Sequence, residues 1–176
     1  MPNLDQSVAL VVDALDRGAR WIVVDGLGAS GKTTFASGIV EARPQVQVVH
    51  LDDFTRPGSV AWESERFLEQ VYRPLAGGSP ASYQRWHWTQ AEPGEWVDLG
   101  AGRPVVLEGI WASDPAVAVD WDLRVWLEVP EEERCARALL RDPARYECWS
   151  TTWRPIEAKW AATQRPWERA DVVVTA

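Results

Sequence analysis

At 176 residues the chain has the size of one domain built around one hydrophobic core. Its composition, 46% hydrophobic and 25% charged, is that of a globular protein, and its net charge of −8 argues against nucleic acid or a membrane surface as the main partner. No apolar run reaches the roughly 20 residues that span a bilayer. The start, Met1-Pro2-Asn3-Leu4-Asp5-Gln6, lacks the basic and apolar regions of a signal peptide, so a cytoplasmic location is expected.

Residues 4–18 are predicted as a helix, because Val8, Val11, Val12 and Leu15 fall on one face and Gly18 can end it. Residues 21–25 form a short buried strand, followed by a glycine-rich turn and a helix over 32–42 that Pro44 stops. A second strand is expected at 46–51 and a helix at 61–75, closed by Gly77-Gly78-Ser79-Pro80. Strands follow at 104–107 and 123–129. Pro130 with Glu131, Glu132 and Glu133 marks the start of a helix running to Asp142-Pro143, since proline suits the first position and acids favour the positive end. A last helix is placed at 155–164 and a last strand at 172–175. Strands alternating with helices imply an α/β domain over residues 1–176, a doubly wound five-stranded parallel sheet with its ligand site at the strands' C-terminal ends.

Cys135 and Cys148 are expected to be free thiols, and with His50 and His87 they make a poor metal site. The twelve tryptophans are core and interface material, which leaves a homo-oligomer open.

Gly26-Leu27-Gly28-Ala29-Ser30-Gly31-Lys32-Thr33 matches G-x-x-x-x-G-K-[ST] in full, between a strand and a helix. Glycines let the backbone turn its N–H groups onto phosphate oxygens, and the helix adds the positive end of its dipole. Lys32 is expected on the β- and γ-phosphates and the Thr33 hydroxyl on Mg²⁺. Thr34, one position deeper, completes the segment. ATP and magnesium are the implied ligands. GTPases, motors, transport ATPases and small-molecule kinases share this loop, so the motif alone does not choose between them.

The acids narrow the choice. Asp52 and Asp53 end the second strand, where a carboxylate can take the proton of an attacking hydroxyl or cap the next turn. Asp53 is also a candidate for the magnesium shell. Glu108, at the end of an apolar strand, suits a metal-supporting acid, or simply closes the strand before Gly109. Arg134, Arg137 and Arg141 share one helix face, with Arg145 beyond; they can close over phosphates or form an ion-paired surface with the glutamates. No Asn-Lys-x-Asp segment for reading guanine is present.

These features, in this order, resemble the uridine kinase-like group of P-loop kinases. The likeness rests on Asp25-Gly26 through Thr34, Leu51-Asp52-Asp53-Phe54, Leu107-Glu108-Gly109-Ile110, Arg137 through Arg141-Asp142, and Ala170-Asp171-Val172-Val173. It implies ATP-dependent phosphorylation of a hydroxyl on a small molecule, possible acceptors including a nucleoside such as uridine. It makes Asp52 the base and Arg137 and Arg141 part of a lid. It also makes 72–87 the acceptor side, with Tyr83 and His87 as candidate contacts. A nucleotide-responsive binding protein and an acceptor-free NTPase are the alternatives.

Overall fold

The structure, a computed structural model, describes residues 4–56, 61–87 and 91–175. Seven strands and seven α-helices are defined among them. Trp21–Gly26 (β1) lies at the centre of a five-stranded sheet. Val105–Glu108 (β5) and then Gln47–His50 (β2) flank it on one side, Leu123–Glu128 (β6) and Val172–Thr175 (β7) on the other. Every neighbouring pair in this sheet is parallel. This is the doubly wound P-loop sheet expected from the alternating pattern.

A parallel sheet must be covered on both faces, and the alternation of side chains along β1 shows how. Ile22 and Val24 pack with Val11 and Leu15 of Leu4–Asp16 (α1) and with Phe35 and Ile39 of Lys32–Ala42 (α2). Val23 points the other way, into a cluster with Val49, Phe54, Phe67, Leu107, Trp111 and Trp121. Burying Phe35 and Ile39 contributes about 2 kcal/mol each, which anchors the helix whose N-terminus faces the phosphate loop. Among the described residues no helix is long and apolar enough to cross a membrane.

Three local differences from expectation have physical causes. The predicted helix at 61–75 is Ser64–Phe67 (α3), a π turn over Leu68–Tyr72, and Arg73–Ala76 (α4). Pro74 offers no N–H to the α-helical ladder, and the wider turn absorbs the missing bond. The same device recurs at Trp149–Trp153, ahead of Pro155. It joins Pro143–Cys148 (α6) to Arg154–Gln164 (α7), so the last helix is preceded by a helical segment that the pattern did not suggest. Ala81–His87 (β3) and Glu92–Leu99 (β4) form an antiparallel hairpin where the sequence suggested a loop. Only Ala81, Tyr83 and Leu99 of it are buried, so the period-2 apolar signal was too weak to read.

Strand register sets the site. Val24 and His50 both stand opposite Glu108, so β1, β2 and β5 end level. The phosphate loop, the acids after β2 and Glu108 therefore emerge at one edge.

Candidate functional site

The phosphate loop is shaped by close approaches. A Cβ on Gly26 would lie 2.8 Å from the Leu127 carbonyl oxygen and from Ser30 Oγ. Gly31, at the N-cap of α2, has φ 92°, a left-handed value that glycine adopts freely. Lys32 is only 8% exposed. Its Nζ donates to the carbonyls of Gly26 (2.8 Å) and Leu27 (3.0 Å) and to Ser30 Oγ (3.4 Å). Burial lowers the Lys32 pKa, while the charges of Glu108, Asp25, Glu157 and Asp52 work in the opposite direction. One buried cation is thus held at the loop, with several carboxylates around it that partly offset its charge.

Thr33 and Glu108 meet. The Thr33 hydroxyl donates to Glu108 Oε1 at 3.1 Å, and His50 Nδ1 lies 2.6 Å from the same oxygen. A hydroxyl and a carboxylate brought together beside the loop are the hard oxygen donors that suit Mg²⁺. Burial alone would raise Glu108, but the hydrogen bond from His50 and the charge of Lys32 hold its carboxyl below the ordinary range. The same hydrogen bond raises His50.

The folded pKa of His50 lies above its unfolded value, so the pair's contribution is complete below the ordinary histidine pKa and is lost as pH rises through the folded one. On the acid side it is lost as Glu108 passes through its lowered pKa. The melting temperature of the parent chain relative to His50→Gln is therefore expected to be most favourable near about pH 6 and to decline toward about pH 9. Thermal unfolding of both proteins across that range checks this.

Gly109 holds Glu108 in place. A Cβ there would lie 2.3 Å from Leu51 Cβ, a separation that atoms do not tolerate. Gly109→Ala is expected to cost about 2 kcal/mol or more by overpacking and to move Glu108 away from Thr33 and His50. Denaturant unfolding of the variant beside the parent checks the cost.

Asp52 and Asp53 follow β2 in a 3-10 turn, Leu51–Phe54, and separate there. Asp52 stays open to solvent. Loss of hydration on its protein side, then the negative charge of Glu108, raise its carboxyl above the ordinary range, while Lys32 pulls it back. Asp53 is buried and turns toward the hairpin, accepting from Tyr83 Oη at 3.2 Å with Arg85 Nε at 3.6 Å. Tyr83 is itself fully buried, its ring 5.0 Å from that of Phe54, and His87 is exposed and pairs with Glu95 at 3.1 Å.

The arginines divide in the same way. On Glu131–Arg141 (α5), Arg137 Nη1 donates to the Ser30 carbonyl at 3.3 Å and also pairs with Glu133. Arg134, only 3% exposed, donates to the carbonyls of Gly28 (3.3 Å) and Val129 (3.2 Å). Arg141 is exposed at the helix end, and Arg145 pairs with Asp142 at 3.5 Å. Ala29 and Ser30 continue the loop between Gly28 and Gly31, and Thr34 faces solvent on the first turn of α2.

No protein-family model matches the chain. Among curated proteins it is similar to the uridine kinase of Ureaplasma parvum serovar 3, 27% identical over 158 aligned residues covering 76% of this chain and 75% of that protein. The uridine kinase of Ureaplasma urealyticum serovar 10 is 26% identical over the same coverage. Among solved structures, a possible uridine kinase from Bacillus stearothermophilus superposes with a TM-score of 0.71, covering 97% of this chain and 98% of that one at 20% identity. The chain is similar to proteins named uridine kinase. Its fold is the P-loop fold of that solved neighbour, and the curated proteins it resembles in sequence are uridine kinases.

Two further site groups, Asp25 and Glu157, carry no mark in the sequence. Asp25 is buried at the end of β1 and accepts from the N–H groups of Gly26 (2.7 Å), Trp111 (3.1 Å) and Ser113 (2.9 Å) and from Ser113 Oγ (2.6 Å). It ties the phosphate loop to the segment after β5. Burial raises its pKa, while the donors from Ser113 oppose that rise. Glu157, on α7, accepts from the Gly28 N–H at 2.8 Å and from Trp149 Nε1 at 3.1 Å. No local motif marks either contact, since the partners of Glu157 at the loop lie 129 residues away.

Proposed function

We propose that this protein is an ATP- and magnesium-dependent phosphotransferase that moves the γ-phosphate of ATP to a hydroxyl of a small molecule, a nucleoside such as uridine. The observation that carries the proposal is the shared sheet edge. Lys32, the Thr33–Glu108 pair and the solvent-open Asp52 stand together there, close enough for their charges to act on one another.

Each group then has a task. The loop N–H groups and Lys32 bind and orient the polyphosphate, with the positive end of α2 behind them. Thr33 and Glu108 would hold Mg²⁺, which supplies neutralisation of phosphate charge when bound. Asp52 orients the acceptor hydroxyl and takes its proton; a raised pKa makes it a better proton acceptor than an ordinary carboxylate. Arg137, tied to the loop at Ser30, with Arg134 behind it, adds positive charge where the transferred group develops negative charge. Arg141 is assigned to the same lid. Asp53, as an alternative metal-shell acid, would first have to leave Tyr83 and Arg85.

On the acceptor side, the hairpin presents Arg85, Trp86 and His87, with Asp53 and Tyr83 beneath them. Tyr83 positions Asp53 and His87 lies at the exposed end, the place for a contact with the acceptor. We place the activity in the cytoplasm, where ATP is the common phosphate donor; Cys135 and Cys148 are both free thiols.

Measuring ADP release with ATP or GTP, with and without nucleosides and sugars, tests the proposal. Acceptor-dependent ADP formation from ATP supports it. Hydrolysis at the same rate without acceptor makes the protein an NTPase, and binding without turnover makes it a nucleotide sensor.

A further inference from the structure

The phosphate loop already carries an anion of its own chain. Glu157 is 1% exposed, although it lies on a helix more than a hundred residues downstream of the loop. One carboxylate oxygen accepts the Gly28 N–H at 2.8 Å, and the other accepts Trp149 Nε1 at 3.1 Å. A Cβ on Gly28 would stand 2.6 Å from Trp149 Nε1 and 2.9 Å from Glu157 Oε2, so this seat exists only because residue 28 is glycine. Gly28 is held from its other side too, where Arg134 donates to its carbonyl at 3.3 Å.

A buried carboxylate is stable only when hydrogen-bonded and charge-compensated. Glu157 takes both from the loop: an N–H group, and the positive charge of Lys32, on which it acts alongside Glu108 and Asp25. These are resources of the kind that a phosphate loop offers to polyphosphate. The ion pair of Arg154 with Glu131 fastens the start of α7 to α5, whose Arg137 also reaches the loop.

We propose that Glu157 is an intramolecular competitor for the phosphate cradle, anchored by Trp149, and that a nucleoside polyphosphate binds by displacing its carboxylate from Gly28. The inference rests on the assignment of this loop as the nucleotide site. It makes α6 and α7 a self-latched cover, with a binding tax that falls on the polyphosphate and not on the nucleoside. A ligand that must first displace a seated group shows an affinity reduced by the fraction of protein in the open arrangement.

The test is calorimetric titration of the full chain, as parent, Glu157→Gln and Trp149→Phe, with ATP and with AMP in the presence of magnesium. Glutamine keeps the size of the side chain and removes its charge. ATP is expected to bind Glu157→Gln about tenfold more tightly than the parent and Trp149→Phe about threefold more tightly, with AMP changed by less than about twofold. Thermal unfolding confirms that each variant is folded. If Glu157→Gln does not fold, Trp149→Phe decides by the same criterion. Equal or weaker ATP binding by the variants, where the parent does bind ATP, overturns the competition. So does an equal gain for ATP and AMP, which would mean general loosening. Failure of the parent and both variants to bind ATP overturns the nucleotide assignment and the inference together.

Discussion

Asp52→Asn is expected to bind magnesium-ATP at least as tightly as the parent and to lose acceptor-dependent turnover by about a thousandfold. Asparagine has the shape of aspartate but cannot take a proton at neutral pH. The carboxyl of Asp52 is open to solvent at the sheet edge and sits near the negative charge of Glu108, so its removal relieves repulsion. Stability should therefore change little, and the whole effect should fall on the transfer step. Comparing kcat with the calorimetric affinity for ATP separates the two. Near-normal transfer by the variant would remove Asp52 from its assigned role. The same substitution at Asp53 should behave differently, because it breaks the contacts with Tyr83 and Arg85 and disturbs how the hairpin sits on the 3-10 turn.

Lys32→Ala is expected to fail in two ways at once. The lost cation should lower kcat/KM for ATP by about a thousandfold or more, as expected for a charge aimed at the transferring phosphate. The fold should also weaken by about 3 kcal/mol, because breaking a buried charge network leaves its partners uncompensated. Glu108, Asp25 and Glu157 all face Lys32, and its Nζ satisfies the Gly26 and Leu27 carbonyls. Denaturant unfolding beside steady-state kinetics reads both losses. A variant with unchanged stability would mean that the surrounding carboxylates are balanced by other groups. This contrast with Asp52→Asn follows from position alone: one residue is enclosed by the site and the other is open at its edge.

How much of this was legible in the sequence depends on the range of each interaction. The phosphate loop was readable because the strand, the glycines, Lys32 and Thr33 are contiguous, and the local pattern and the chemistry agree. All five sheet strands were readable because each is a short apolar run, densest in β1 and β5, which are buried on both faces. The hairpin was not, since it buries few residues and its outer face is charged. The two π turns were invisible in the periodicity, although Pro74 and Pro155 mark why each exists.

Within the site, Asp52 and Glu108 can be singled out because each lies at or just after the end of an apolar strand, whereas Asp25, also near a strand end, has nothing local to show what it holds. Its four donors come partly from Trp111 and Ser113, and only the folded chain brings them to it. Arg134 shows the opposite limit. It shares a face with Arg137 and Arg141, but the proximity of Val129 and Gly28 decides that it is the buried member. Arg141, equal to its neighbours in the periodic pattern, stands exposed at the end of the helix.

Transfer to an acceptor hydroxyl is tested most directly by following the label from γ-phosphate-labelled ATP. With magnesium, uridine and the parent protein, label is expected in the monophosphate of the nucleoside, at a rate that falls about a thousandfold in Asp52→Asn. A panel of other hydroxyl acceptors run in parallel covers the substrate class. Label released only as inorganic phosphate, at a rate indifferent to every acceptor, would contradict it.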